Sequence, residues 1–140
     1  MKRNRLSRPA AGFTLLELLV VIVIIGLLAS YVGPKYFAQI GKSEATTARA
    51  QIEGFAKALD NLRIDIGRYP SEEEGLQALM VKPEGVTGWN GPYLKKQVPP
   101  DPWKHAYLYQ YPVGNGDFKI TSLGKDGRPG GSGEDADISN

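Results

Sequence analysis

Residues 13–32 form an almost unbroken apolar run, FTLLELLVVIVIIGLLASYV, in which Glu17 is the single charge. Twenty helical residues at about 1.5 Å each span roughly 30 Å, the thickness of a bilayer core. Beyond Gly33 the solid pattern turns periodic: Ala38, Ala45, Ala48, Ile52, Phe55, Leu59, Leu62 and Ile66 fall on one stripe. Lys42, Glu44, Arg49, Glu53, Lys57, Asp60 and Arg63 lie between them. The spacing predicts an amphipathic helix over residues 35–66 that packs on its own domain in preference to a coiled-coil seam. Pro34 offers no N–H to the Ser30 carbonyl, so a kink or local loosening is expected there within one continuous helix.

Residues 67–140 hold eight of the ten prolines, which argues against further long helices. Ser71 followed by Glu72, Glu73 and Glu74, ahead of Leu76, Leu79 and Met80, fits a capping box opening a short helix. Three consecutive acids point in three directions on a helix, so capping outweighs a metal or general-acid cluster. Residues 106–111 and 117–123 alternate and are rich in aromatic and β-branched side chains, with Gly114, Asn115 and Gly116 between them. They predict a β-hairpin, which needs a helix face to pack on. Tyr107, Tyr109 and Tyr111 at period two then serve sheet packing, since no basic cluster accompanies them to make a stacking platform for nucleic acid.

Charge changes the picture at the ends. Of 17 Lys+Arg and 15 Asp+Glu, Lys2, Arg3, Arg5 and Arg8 precede the apolar run without a balancing acid. The positive-inside rule puts that end in the cytoplasm and the remainder outside. A secretory signal peptide has a shorter apolar region followed by a small-x-small cleavage site, whereas here Ala11 and Gly12 lie before the run. Any processing falls upstream of the span. After it the chain is mildly acidic, without the Lys/Arg stripe of a nucleic-acid binder. The absence of cysteine excludes disulfides and thiolate metal sites, and a single histidine excludes a multi-histidine centre. With no G-x-S-x-G nucleophile motif either, only scattered carboxylates remain to carry enzyme chemistry. Asp101 and His105 lie four apart, but around prolines and Trp103 that spacing implies no shared face.

Glu17 is not explained by a plain anchor, because an ionised carboxylate in hydrocarbon costs at least a few kcal/mol unless it is paired or near headgroups. Either it sits at the cytoplasmic interface or it has a partner. The tail over residues 123–138 carries five glycines and little to bury, so by itself it reads as a flexible acidic segment. Asp126, Glu134, Asp135 and Asp137 are nevertheless hard oxygen ligands of the kind calcium takes, though the EF-hand spacing is missing. Composition leaves those two readings open.

The basic leader followed by Gly12, Phe13, Thr14, Leu15, Leu16 and Glu17 and an uninterrupted apolar run resembles type IV pilin-like proteins. The resemblance implies cleavage after Gly12 by a prepilin peptidase, N-methylation of Phe13, and pairing of Glu17 with the N-terminal amine of a neighbouring subunit in a filament core. Cleavage would leave 128 residues with a side-chain charge of −2. Gly67-Arg-Tyr-Pro70, Glu74-Gly-Leu-Gln-Ala-Leu79, Gly91-Pro-Tyr-Leu-Lys-Lys96 and Asp101-Pro-Trp103 look like the major pseudopilins of type II secretion systems, Lys104-His105 departing from the glycine usual at that point. True type IV pilins, and minor pilins serving adhesion or DNA uptake, usually carry a C-terminal disulfide loop that this chain cannot form.

What the resemblance implies is an α+β pilin-like fold: a long N-terminal α-helix, transmembrane over residues 13–34 and amphipathic over 35–66, packed on a small antiparallel β-sheet with a calcium-stabilised C-terminal loop. It implies a non-enzymatic homopolymer of the Gram-negative inner membrane and periplasm, Glu17 and Pro34 being the assembly positions. Minor pseudopilins, the inner-membrane assembly platform and the prepilin peptidase are the implied partners. Calcium is the implied cofactor: the S-L-G-x-D-G motif over residues 122–127 points to the Leu123 carbonyl and the Asp126 side chain. Asp135, Asp137 and a carbonyl near Ser132 are candidates for the later ligands.

Overall fold

The structure, a computed structural model, describes residues 12–140. The basic residues of the leader therefore lie outside the described residues. One helix, α1, runs Leu15–Ile66 with Pro34 inside it. The described residues form two units, 12–38 and 39–140. In the first, the described side chains are exposed along the apolar run.

The second unit has a core because α1 supplies a stripe. Ala48, Ile52, Phe55, Ala58, Leu59 and Leu62 are buried and join Tyr69, Leu76, Leu79, Tyr107, Phe118, Ile120 and Ile138 in one cluster. The predicted stripe holds from Ala45 to Ile66, half-buried at those two ends, but Ala38 is exposed and Gly41 is buried. The sheet is three-stranded, in the order β1 (Leu108–Val113), β2 (Asp117–Ser122) and β3 (Ile138–Ser139), antiparallel throughout. Leu108 pairs with Thr121 and Gln110 with Lys119, and the register shifts between Gln110 and Val113. The tyrosines pack as the alternation predicts: Tyr107 meets Phe55 edge-on at 5.2 Å, Tyr109 stacks on Phe118 at 6.3 Å, and Tyr111 meets Tyr69 at 5.6 Å. Burial raises the phenol pKa of both Tyr107 and Tyr109 far above the ordinary range. Tyr107 also donates to Gln51 Oε1, fastening the start of the hairpin to α1.

Two segments take a form that the sequence leaves open. The capping box forms, since Ser71 N donates to Glu74 Oε2 at 2.8 Å and Glu74 N donates to Ser71 Oγ at 3.2 Å. It closes a turn, and the short helix beyond that turn is a five-residue 3₁₀ segment, Gly75–Leu79. Gly75, at φ +54°, adopts the left-handed backbone that α-helical continuation forbids. The tail, in turn, has a fixed path. Ile138 is buried, β3 pairs with β2, and the Asn140 side chain extends that pairing by accepting from Ile120 N at 2.7 Å and donating to Phe118 O at 3.3 Å. A two-residue strand carries no periodicity for a sequence pattern to reveal.

Glu74 also receives both Arg68 guanidinium nitrogens, at 2.6 and 2.7 Å, and this pairing holds its carboxyl below the ordinary value of 4.5. A depressed carboxylate pKa stabilises the fold above the ordinary value and loses that contribution as pH falls through the lowered one. Arg68 is nearly half exposed, so screening limits the pair to about 0.5–1 kcal/mol. Glu74→Gln should therefore unfold at a lower temperature than the parent chain at pH 7, and the gap in a melting series should close as the buffer is taken below pH 4.5.

Candidate functional site

The start of α1 is built by its own sequence. Thr14 N and Oγ1 donate to Glu17 Oε2 at 2.8 and 3.0 Å, and Glu17 N donates to Thr14 Oγ1 at 3.2 Å. This is a reciprocal capping box, Thr14 as N-cap and Glu17 three residues on, which satisfies two of the orphan amides of the first turn. The T-x-x-E spacing is present in the sequence, but weighing Glu17 only against lipid and neighbours passes over Thr14. Phe13 stands 84% exposed beside it, and Gly12 has open space where a Cβ would project. Further along, Ser30 Oγ donates to Gly26 O at 2.9 Å, and Pro34 leaves the helix unbroken. Among the described residues nothing covers the 18-residue window that qualifies α1 as a candidate membrane span.

The second constellation is the C-terminal loop. It begins at Gly124, whose φ of +66° and close approach to the Asp135 and Ala136 backbone, 2.8–2.9 Å from where a Cβ would stand, exclude any side chain. Lys125 N donates to Glu134 O at 3.0 Å and Asp137 N to Gly130 O at 3.2 Å, so the two ends of the loop run side by side. Asp126 Oδ1 accepts from Arg128 N at 3.1 Å and Asp137 Oδ2 from Gly130 N at 3.0 Å. The loop therefore brings the segment of Leu123 and Asp126 against that of Asp135 and Asp137. Among the described residues no three acidic or histidine side chains cluster tightly enough to hold a metal ion unaided. The donor set that remains, two or three carboxylates and backbone carbonyls around glycine turns, is all hard oxygen and fits calcium better than a transition metal. Ser132 precedes a short 3₁₀ turn, Gly133–Asp135, in extended conformation, and Asp135 N donates to its carbonyl at 3.2 Å.

What anchors the start of this loop is a buried carboxylate. Asp101, 1% exposed, accepts from His105 N at 2.8 Å, Trp103 N at 3.1 Å and Ser122 Oγ at 2.6 Å. Ser122 Oγ lies 3.4 Å from Gly124 N, and the His105 ring, through Nδ1, lies 3.0 Å from the Gly124 carbonyl. Asp101 and His105 thus do share a site, contrary to expectation, because the turn between them folds back: Asp101 N donates to His105 O, and Lys104 takes φ +75°. The role of the pair is to hold the chain around Gly124. Lys104 stands in the left-handed region that a glycine would occupy without strain.

Comparison with known proteins covers both segments of the chain. Residues 7–32 match the family description "Prokaryotic N-terminal methylation motif", and residues 35–140 match "Type II secretion system (T2SS), protein G". The type II secretion system core protein G of Pseudomonas aeruginosa is 43% identical over 136 residues, covering 95% of this chain and 96% of that one. That of Xanthomonas campestris is 41% identical over 142 residues, covering 99% and 97%. The crystal structure of the major pseudopilin from the type 2 secretion system of enterohaemorrhagic Escherichia coli superposes with a TM-score of 0.58 at 31% identity, over 74% of this chain and 91% of that one. The chain belongs to the type II secretion system protein G family.

Proposed function

We propose that the chain is a structural subunit of a pseudopilus, a major pseudopilin that polymerises through α1 in the periplasm to drive export of folded proteins. The observation that carries this reading is the uncovered apolar half of α1 joined to a protein G domain. In the membrane that half is covered by lipid, and in the filament by the same half of its neighbours. Helices as apolar as lipid gain little from burial alone, so packing and polar pairing decide association. The topology is single-pass, with the basic end in the cytoplasm and residues 67–140 in the periplasm. A prepilin peptidase removes residues 1–12 and methylates Phe13; the inner-membrane assembly platform and minor pseudopilins are the other partners.

Glu17 aligns neighbours by taking the N-terminal amine of Phe13 from an adjacent subunit, while the Thr14 bonds hold its carboxylate near the helix start. A buried charge left without its partner costs several kcal/mol, so only subunits in register assemble. Calcium is held in the C-terminal loop by the Leu123 carbonyl and Asp126, with Asp135, Asp137 and the Ser132 carbonyl completing the set. It supplies the cross-link that a cysteine-free chain lacks, and its binding energy adds to folding energy.

Three outcomes are expected. Intact mass of the membrane-extracted chain should equal residues 13–140 plus one methyl group, and an unmodified or differently cut N-terminus would refute the processing. Glu17→Ala should still fractionate with membranes, but the yield of α1-to-α1 crosslinked multimers should fall by about tenfold or more, the effect of an uncompensated charge at the partner amine. Chelation of calcium with EGTA should lower the melting temperature by several degrees and expose residues 124–137 to protease, with calcium chloride restoring both. A melting curve indifferent to chelator would remove calcium from the account.

A further inference from the structure

Between residues 34 and 47 of α1 one position is buried, Gly41. Glycine inside a helix is unfavourable by about 0.5–1 kcal/mol relative to alanine, so a glycine there needs a reason. The reason is a contact: the Glu134 carboxylate, led by Oε1 and backed by Cδ and Cγ, fills the space where a Cβ on Gly41 would project. Gly54, also within α1, has nothing in that space. Glu134 comes from the 3₁₀ turn of the C-terminal loop. Its carbonyl accepts from Lys125 N, and its Oε2 pairs with Lys125 Nζ at 2.7 Å. One residue therefore ties the incoming and outgoing halves of the loop together and seats them on α1. Lys125 has Glu134 and Asp135 from the loop and Glu44 from α1 around it, and Glu134 foremost raises its pKa.

We propose that the C-terminal loop is a latch on α1, in which Glu134 seated on Gly41 couples order in residues 123–137 to order in the helix segment just past Pro34. Asp135 is the neighbour of Glu134, so a cation that fixes Asp135 also fixes the latch; this arm rests on the calcium reading above. Linkage makes the coupling reciprocal. A helix loosening that starts at Pro34 and spreads two turns towards the C-terminus reaches Gly41 and must lift Glu134 to go further. The latch thereby sets where such loosening stops, and a loose loop moves that limit into the amphipathic segment.

The test is amide hydrogen exchange by mass spectrometry on the processed full chain in detergent micelles, with calcium chloride or EGTA, following residues 39–46 and 123–138. Glu134→Ala should speed exchange at 39–46 by about two- to fivefold, the size of a partly exposed contact, and leave 52–62 unchanged. Gly41→Ala displaces the flexible Glu134 side chain, so it should speed exchange at the Lys125 and Asp137 amides although it strengthens the helix intrinsically. Gly54→Ala should slow helix exchange and leave the loop as it was. The double variant Gly41→Ala with Glu134→Ala should loosen the loop no more than Glu134→Ala alone. Unchanged exchange at 39–46 in Glu134→Ala, or a loop indifferent to Gly41→Ala, would overturn the latch. Calcium that slows exchange in the loop but not at 39–46 would overturn the coupling; calcium that slows neither, with the Glu134→Ala effect intact, would sink the calcium reading and uphold the latch.

Discussion

Thirteen aliphatic side chains in residues 15–32 are 48–81% exposed in the isolated chain. Covering them is worth on the order of 10–20 kcal/mol, as much as or more than the whole folding free energy of a small domain, about 5–15 kcal/mol. Among the described residues nothing does so, and the 3₁₀ turns and short strands are too small to do so by rearrangement. A surface of this size calls for an apolar covering, and the first half of α1 is punctuated to suit one. The run has one charge, placed where the capping box of Thr14 can hold it. Pro34 falls where the apolar run gives way to the amphipathic stripe.

The stripe solves a separate problem for the second unit. A three-stranded sheet with strands of six, six and two residues is marginal by itself, and the core exists because Ile52, Phe55, Leu59 and Leu62 give it a face to lie on. Aromatic side chains do much of that work, since Phe55, Tyr69, Tyr107 and Phe118 meet edge-on or pack within one cluster. Asp101 then fixes what the core cannot. Its three accepted hydrogen bonds bind the turn of residues 101–105 to Ser122, and Ser122 and His105 hold Gly124 at the mouth of the loop. A buried carboxylate of this kind is tolerable only when its oxygens are satisfied, which makes the geometry of the loop mouth unusually specific.

Legibility in the sequence depends on the range of each signal. The apolar run, the stripe from Ala45 to Ile66 and the hairpin are readable because each repeats a period over many residues. Ala38 and Gly41 exchange places relative to the stripe because the partner that buries Gly41 lies 93 positions away in the chain, and no local pattern reports it. β3 escapes a pattern search because two residues and an asparagine side chain do the pairing. The capping box at residues 71–74 and the short helix after it are legible, but that the helix is 3₁₀ is not, because it follows from the left-handed backbone at Gly75. Linear spacing alone separates Asp101 from His105, and the turn that reunites them depends on Lys104 adopting a positive φ that composition would not suggest. The loop residues are legible only as oxygen donors. Their convergence comes from Gly124 and the bonds between Lys125 and Glu134, both of them tertiary facts.

The Thr14 box bears on how much a neighbour's amine can gain from Glu17. In the isolated chain the carboxylate is already hydrogen-bonded to its own helix start, so pairing in a filament starts from a satisfied state. For the pairing with a neighbour's amine proposed above, the net gain is the difference between two satisfied arrangements, which is small compared with the penalty for misalignment, where a second charge enters an apolar core unpaired. The asymmetry favours register over raw affinity. The capped first turn satisfies the carboxylate oxygens without neutralising the charge, so the cost of Glu17 in an apolar surrounding is lowered by these bonds and removed only by a cation or by nearness to water.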